Sequence, residues 1–274
     1  MATVWGVTFG LGAPERSMAE APQRVVSMNL CTDQLAMLIA AEGQLLSVSY
    51  LAADPQTSPM IEQASRYILN HGQAEEIAFL KPDLVLAGRY TTRVTVDMLR
   101  RLGRQVEIFE PENSVADIRR NIVKMGEVLQ RQDAAQVILA KLDADLAALP
   151  QRPEGTGPRT ALFYSSGFTS GQGSLADDIL SHAGLTNIAP ELGLPSGGIL
   201  SLEQLVLSGP EVVLRGQSYA GHSRGQEMLS HRAMHQMLQG RVSLRTTPEW
   251  SCGTPFTIAA IARLAYAARQ EVTP

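Results

Sequence analysis

AEEIAFLKPDLVLAG, residues 74–88, and LEQLVLSGPEVVLRG, residues 202–216, can be laid over one another without a gap. The offset is 128 residues throughout, so Glu75 falls on Glu203, Pro82 on Pro210, Asp83 on Glu211, Val85 on Val213 and Gly88 on Gly216. Each copy reads as an amphipathic helix, a proline turn and a buried strand that stops at glycine. The phrase is common in α/β proteins. Two copies in register on either side of a long helical stretch nevertheless imply two equivalent lobes.

That intervening stretch runs from Ser114 to Leu149 without a proline. Ile118, Ile122, Met125 and Leu129 form one apolar stripe, and Val137, Leu139, Leu142, Leu146 and Leu149 form a second. A break at 131–133 divides it, and a helix over 132–149 would be roughly 27 Å long at about 1.5 Å per residue. Before it, strands are expected at Arg24–Met28, Leu45–Ser49, Asp83–Ala87 and Gln105–Phe109. Helices are expected at Thr32–Ala41, with Thr32 or Asp33 as N-cap, and at Val94–Leu102. After it the alternation restarts, with strands at Thr160–Tyr164, Glu211–Arg215 and Val242–Arg245 and helices at Ser174–Ala183, Gln226–Leu238 and Pro255–Arg269. Strands alternating with helices predict parallel sheets. The expected fold is α/β: two Rossmann-like lobes (22–131 and 150–274), each with its own core, joined by a long rigid α-helix (132–149), with a ligand cleft between the lobes.

Composition narrows the function. The chain has 274 residues, 45% of them hydrophobic, and a net charge of -4 from 23 basic and 27 acidic side chains. A nucleic-acid binder would carry a basic balance or stripe. No apolar run approaches the ~20 residues needed to span a bilayer, so a soluble protein is expected; a monomer is expected as well. Val4–Ala13 is apolar and glycine-rich, and Ala19-Glu20-Ala21 fits a small-x-small cleavage site, although no Lys or Arg precedes Arg16. Residues 1–21 are read as an export signal, which places the mature chain in the periplasm. An enzyme of two Rossmann-like lobes is disfavoured. GFTSGQG (167–173) is neither GxGxxG nor a P-loop, and there is no GxSxG elbow and no HExxH. No resident metal or cofactor is expected.

At this point the pattern resembles a known family. Arg24–Met28 (RVVSM), Glu75 followed by Lys81–Val85 (KPDLV), the long connecting helix, Phe168–Gly171 (FTSG) and Leu202–Leu205 (LEQL) are similar to the class III solute-binding proteins of ABC importers. The resemblance runs from about Arg24 to Ala268. It implies small α/β lobes on a stiff hinge, little closure, and a cargo of ferric siderophore, haem or cobalamin held between the lobes. It also implies one exposed glutamate per lobe docking to a permease dimer, and Glu75 and Glu203 fit that role by position. Equivalent acidic groups on two lobes suit a two-fold symmetric partner.

Ligands approach α/β sheets at the carboxyl ends of strands. That rule nominates Asn29, Cys31 and Thr32, then Tyr50, then Arg89, Tyr90 and Arg93 in the first lobe. In the second lobe it nominates Ser166 and Phe168, then Arg215, Gln217, Tyr219 and His222, then Trp250 and Cys252. Tyr50, Tyr90, Phe168, Tyr219 and Trp250 would cover a flat ligand face. Arg89 and Arg215, one from each lobe, would meet carboxylate, phosphate or chelate oxygens. Cobalamin binders of the family place tryptophans in the cleft, where His71, Gly88 and Gly197–Gly198 stand in this chain. The expected cargo is therefore an anionic metal chelate of ferric siderophore type, with cobalamin second. Haem remains open through Tyr219, His71 or His222 as axial ligand. Cys31 and Cys252 leave three readings: unpaired buried thiols, a disulfide tying the lobes, or soft metal ligands. Unpaired or purely structural cysteines are preferred.

Overall fold

The computed structural model describes residues 20–150, 155–217 and 223–271. The first half comprises β1 (Val25–Ser27), α1 (Leu30–Ile39), β2 (Leu45–Ser49), α2 (Ile61–Ala64), β3 (Ile68–Asn70), α3 (Ala74–Phe79), β4 (Leu84–Gly88), α4 (Arg93–Arg101) and β5 (Gln105–Phe109). Its strands form one sheet in the order β3-β2-β1-β4-β5, every pairing parallel. Two helices follow, α5 (Val115–Leu129) and α6 (Gln132–Ala147). The second half comprises β6 (Arg159–Phe163), β7 (Phe168–Thr169), α7 (Leu175–His182), β8 (Thr186–Asn187), β9 (Gly198–Ile199), α8 (Leu202–Ser208), β10 (Val212–Arg215), α9 (Arg224–Glu227), α10 (Arg232–Met237), β11 (Val242–Arg245) and α11 (Phe256–Glu271). Here a parallel sheet runs β11-β10-β6-β8, and β7 and β9 make a small antiparallel pair. The α/β fold with parallel sheets is as expected. Among the described residues no helix is long and apolar enough to cross a membrane.

The strand faces explain the layering. Successive strand residues point to opposite faces of a sheet. Val25, Leu84 and Leu86 join one buried cluster while Val26, Val85 and Ala87 join another, and Val212 and Leu214 separate from Val213 in the same way. The outer faces are covered by α3 and α4 in the first half and by α8 and α10 in the second. The inner faces do not close into two separate cores. Leu35, Ile118, Ile122 and Leu142 lie in the same contiguous cluster as Leu162, Ile179, Leu214 and Ile261. Each half keeps an outer core of its own, and α1, α5, α6, α7 and α11 add a middle layer shared by both sheets.

The helical stretch divides where the break at 131–133 suggested. Leu129 ends α5, and Gln130 turns left-handed at φ 55°. Gly126 is needed at this corner, because a Cβ there would sit 2.6 Å from the Cβ of Ala135. The second helix stops at Ala147, two residues short of the expected Leu149, at an approximate length of 24 Å. The expected helix over 226–238 is broken. At His231 the backbone is extended, and its Nδ1 accepts from the Ala233 N–H, starting a new helix at Arg232.

The first helix also begins earlier than expected. Asn29, not Thr32 or Asp33, is its N-cap, accepting from the N–H groups of Cys31 and Thr32. Thr32 turns inward, where its hydroxyl meets Ser27 at 2.8 Å. Asp33 is fully buried and accepts from the Ser49 N–H at 3.1 Å and from the Ser49 hydroxyl. Burial raises its carboxyl from the ordinary 3.8 to about 6, against the lowering effect of the Ser27 and Ser49 hydrogen bonds. The folded state therefore holds this proton more tightly than the unfolded chain. The resulting stability is present below about pH 4 and is lost as pH rises through about 6, a difference of roughly 3 kcal/mol. Asp33→Asn is expected to raise unfolding stability by about 2–3 kcal/mol at about pH 8 and to change it little near pH 3.5. Urea denaturation at both pH values checks this, and an equal effect at both would remove the buried charge as its cause.

Candidate functional site

The carboxyl ends of the two sheets meet across a seam. Cys31, in the first turn of α1, is disulfide-bonded to Cys252, which follows β11, with the Cα atoms 5.2 Å apart and a separation of 221 in sequence. The preference for unpaired cysteines is corrected. The pairing could not be read from spacing, because it depends on both residues leaving their sheets at the same place. Non-covalent contacts reinforce the seam. The Thr254 hydroxyl lies 3.2 Å from Gln34 Oε1, and the Val115 N–H donates to Asp178 Oδ2 at 2.8 Å. Gly253 passes so close to Glu112 that a Cβ there would lie 2.2 Å from the glutamate Cβ.

Against the disulfide is a cavity of about 180 Å³ lined by Cys31, Thr32, Arg89, Tyr90, Glu112 and Ser251, among others. Five residues nominated from sequence, Asn29 among them, thus meet here. Glu112 was not anticipated. It accepts from Asn121, and burial pushes its carboxyl up. Arg89 pairs with Glu110 at 2.9 Å. These two residues are the first beyond the in-register pair Gly88 and Phe109 on adjacent strands β4 and β5, so their meeting follows from strand order. Arg89 therefore reaches the cavity with a carboxylate partner from its own sheet, whereas the second sheet's strand-end arginine, Arg215, lies elsewhere.

On the other side of the first sheet, Tyr50 follows β2 and His71 follows β3. Their rings stack with centroids 5.1 Å apart and planes inclined by 22°. His71 is held from behind by Glu76, whose Oε2 accepts from the His71 N–H at 2.8 Å and whose Oε1 lies 3.4 Å from Nδ1. The stack is exposed at the sheet's carboxyl edge.

In the second sheet, Arg215 and Arg245 end β10 and β11 in direct register. Among the described residues neither forms an ion pair. Arg215 is half-buried, with its Nε lacking a partner. Desolvation and then the neighbouring Arg245 charge lower its pKa, so an anion here would relieve both penalties. Arg245 was missed from sequence, though VVLR (212–215) and VSLR (242–245) end identically. Ser166 is exposed and left-handed at φ 59°, a conformation uncommon outside glycine. Phe168 is half-exposed beside Tyr164, ring centroids 6.1 Å apart. The Tyr164 phenol is pushed up to about 12 by burial and stays neutral. Trp250 ends a 3-10 turn (Pro248–Trp250) and packs half-buried on the shared core. Gln217 is half-buried just after β10, and Arg93 begins α4. Tyr219 and His222 lie outside the described residues.

Comparison with known proteins gives a consistent picture. A family model described as periplasmic binding protein matches residues 25–239. The vitamin B12-binding protein of Photorhabdus laumondii subsp. laumondii is 26% identical over 209 residues, covering 74% of this chain and 74% of that protein. Among solved structures, the periplasmic haem-binding protein RhuT from Roseiflexus sp. RS-1 in apo form superposes with a TM-score of 0.73 at 20% identity, covering 92% of this chain and 99% of that one. The periplasmic vitamin B12-binding protein BtuF of Vibrio cholerae superposes with a TM-score of 0.65 at 20% identity, covering 93% and 99%.

Proposed function

The chain belongs to the periplasmic binding protein family, and from that premise we propose that it captures a metal tetrapyrrole, haem first, for delivery to an ABC permease. The observation that carries this reading is the carboxylate-backed His71 stacked on Tyr50. A carboxylate on one ring nitrogen fixes the imidazole's tautomer and orientation, leaving the other nitrogen outward as a metal ligand. Tyr50 offers a flat face to a macrocycle, and Arg215 with Arg245 supplies unneutralised guanidinium groups for acidic side arms. The role is capture and release without catalysis. Export to the periplasm goes with it, and there a disulfide persists. Glu75 and Glu203, both exposed on equivalent helices, serve as the permease contacts.

Cobalamin is the second reading. The B12-binding relative spans about three quarters of this chain, and the same arginine pair would meet the cobalamin phosphate. The ferric siderophore reading keeps those arginines, with Arg89 shared between the ligand and Glu110.

Titration of the purified protein with haemin, cyanocobalamin and a ferric hydroxamate, followed by visible absorbance, separates the three. Haemin is expected to bind with a shifted Soret band. His71→Ala should remove that shift and weaken binding by about tenfold or more. Arg215→Gln and Arg245→Gln should each cost about tenfold. Tight cyanocobalamin binding untouched by His71→Ala would replace haem with cobalamin, and binding of the hydroxamate alone would sink both.

A further inference from the structure

Helices α3 and α8 carry more than a glutamate each. Phe79 and Leu207 stand at the same position of the repeat, again 128 residues apart. Both are exposed large hydrophobics, at 86% and 78% of their surface. Each lies four residues after its glutamate, and side chains so spaced share one helix face. The opposite faces are matched too, for Ile77 and Leu205 are fully buried. The turns that follow the helices agree as well: Lys81 and Gly209, also equivalent, are both left-handed, at φ 49° and 57°. Each half of the molecule therefore presents the same outward pattern, a carboxylate with a bare apolar side chain one turn further on.

Single exposed hydrophobics are ordinary on a protein surface. Duplication at equivalent, solvent-facing positions is not, because folding gives neither helix a reason to keep an apolar residue there. We propose that Phe79 and Leu207 are paired apolar anchors that seat in the two halves of a two-fold symmetric membrane permease, beside the Glu75 and Glu203 contacts. This rests on the importer reading above. The occupant is a partner offering, in each half, a cationic side chain and an apolar pocket about 6 Å apart, the spacing of one helical turn. A second copy of this chain is the poorer fit, since joining these faces would bring Glu75 and Glu203 of each copy against like charge. The two kinds of contact divide the work. Exposed carboxylates steer the encounter and are screened by salt. Desolvated apolar anchors hold the complex and act on its dissociation.

The test uses the whole protein and its cognate permease reconstituted in lipid nanodiscs, with binding kinetics followed at low and high salt. Phe79→Ser with Leu207→Ser is expected to weaken binding by roughly tenfold or more at both salt concentrations, mainly through faster dissociation. Glu75→Gln with Glu203→Gln should weaken it mainly at low salt, through slower association. Phe79→Leu with Leu207→Met should bind as the parent does. Thermal melting should be unchanged in every variant, because the side chains are exposed. Wild-type binding by the serine pair alongside weakened binding by the glutamine pair would overturn the anchors and leave the docking reading standing. Wild-type binding by both pairs would overturn docking through these helices altogether. A dimer of the free protein in sedimentation that the serine pair dissolves would overturn the proposal in favour of a second copy.

Discussion

Glu75→Lys combined with Glu203→Lys is expected to cut uptake of the cargo by a hundredfold or more while leaving its affinity for the purified protein unchanged. Both carboxylates are exposed in the first turn of their helices, so neither reversal buries a charge or opens a cavity. Neither residue lines the cavity at the seam. In a docked complex each reversal replaces an attraction with a repulsion, and a like-charge juxtaposition at an interface costs several kcal/mol. Since about 1.4 kcal/mol is tenfold in affinity, two such sites suffice for the expected loss. A single reversal should do less, because the partner's other half keeps its contact. Uptake of labelled haem or cobalamin by cells carrying each variant, set beside equilibrium titration of the same proteins, measures both quantities. Full uptake by the double variant would remove Glu75 and Glu203 as the docking pair.

The repeat that motivates this experiment was legible because it is written locally. A helix, a turn and a strand occupy fifteen consecutive residues, and each is specified by periodicity and punctuation. Strands β2, β5 and β11 begin and end where their flanking turn residues put them. Helix α1 was misread at its start because Asn29 and Thr32 are both good caps, and only tertiary burial of Thr32 against Ser27 decides between them. The site was less legible for the same physical reason on a larger scale. Arg89 looks free until β5 is known to lie beside β4, which brings Glu110 to it. Arg245 gains its meaning only from its register with Arg215. Trp250, nominated as a cleft wall, sits where a short turn leads into α11, so the core claims much of its ring.

The disulfide is the least legible feature and carries the second large prediction. Replacing both cysteines, Cys31→Ser with Cys252→Ser, is expected to lower unfolding stability by about 3–5 kcal/mol. The crosslink joins positions 221 apart, so it removes a very large loop from the unfolded ensemble, and the chain-entropy account gives about 5 kcal/mol for that length. The loss should not dissolve the fold. The middle layer belongs to both sheets, and Gln34 with Thr254 and Val115 with Asp178 still span the seam. The double variant should therefore unfold in one transition at lower urea, with the parent's far-ultraviolet dichroism below it. Treating the parent with reductant should reproduce the same midpoint and add the mass of two hydrogens. A midpoint unmoved by reduction would mean that the non-covalent seam alone sets stability. A second, earlier transition in the variant would mean that the two sheets are held as one unit by the crosslink and not by their common core.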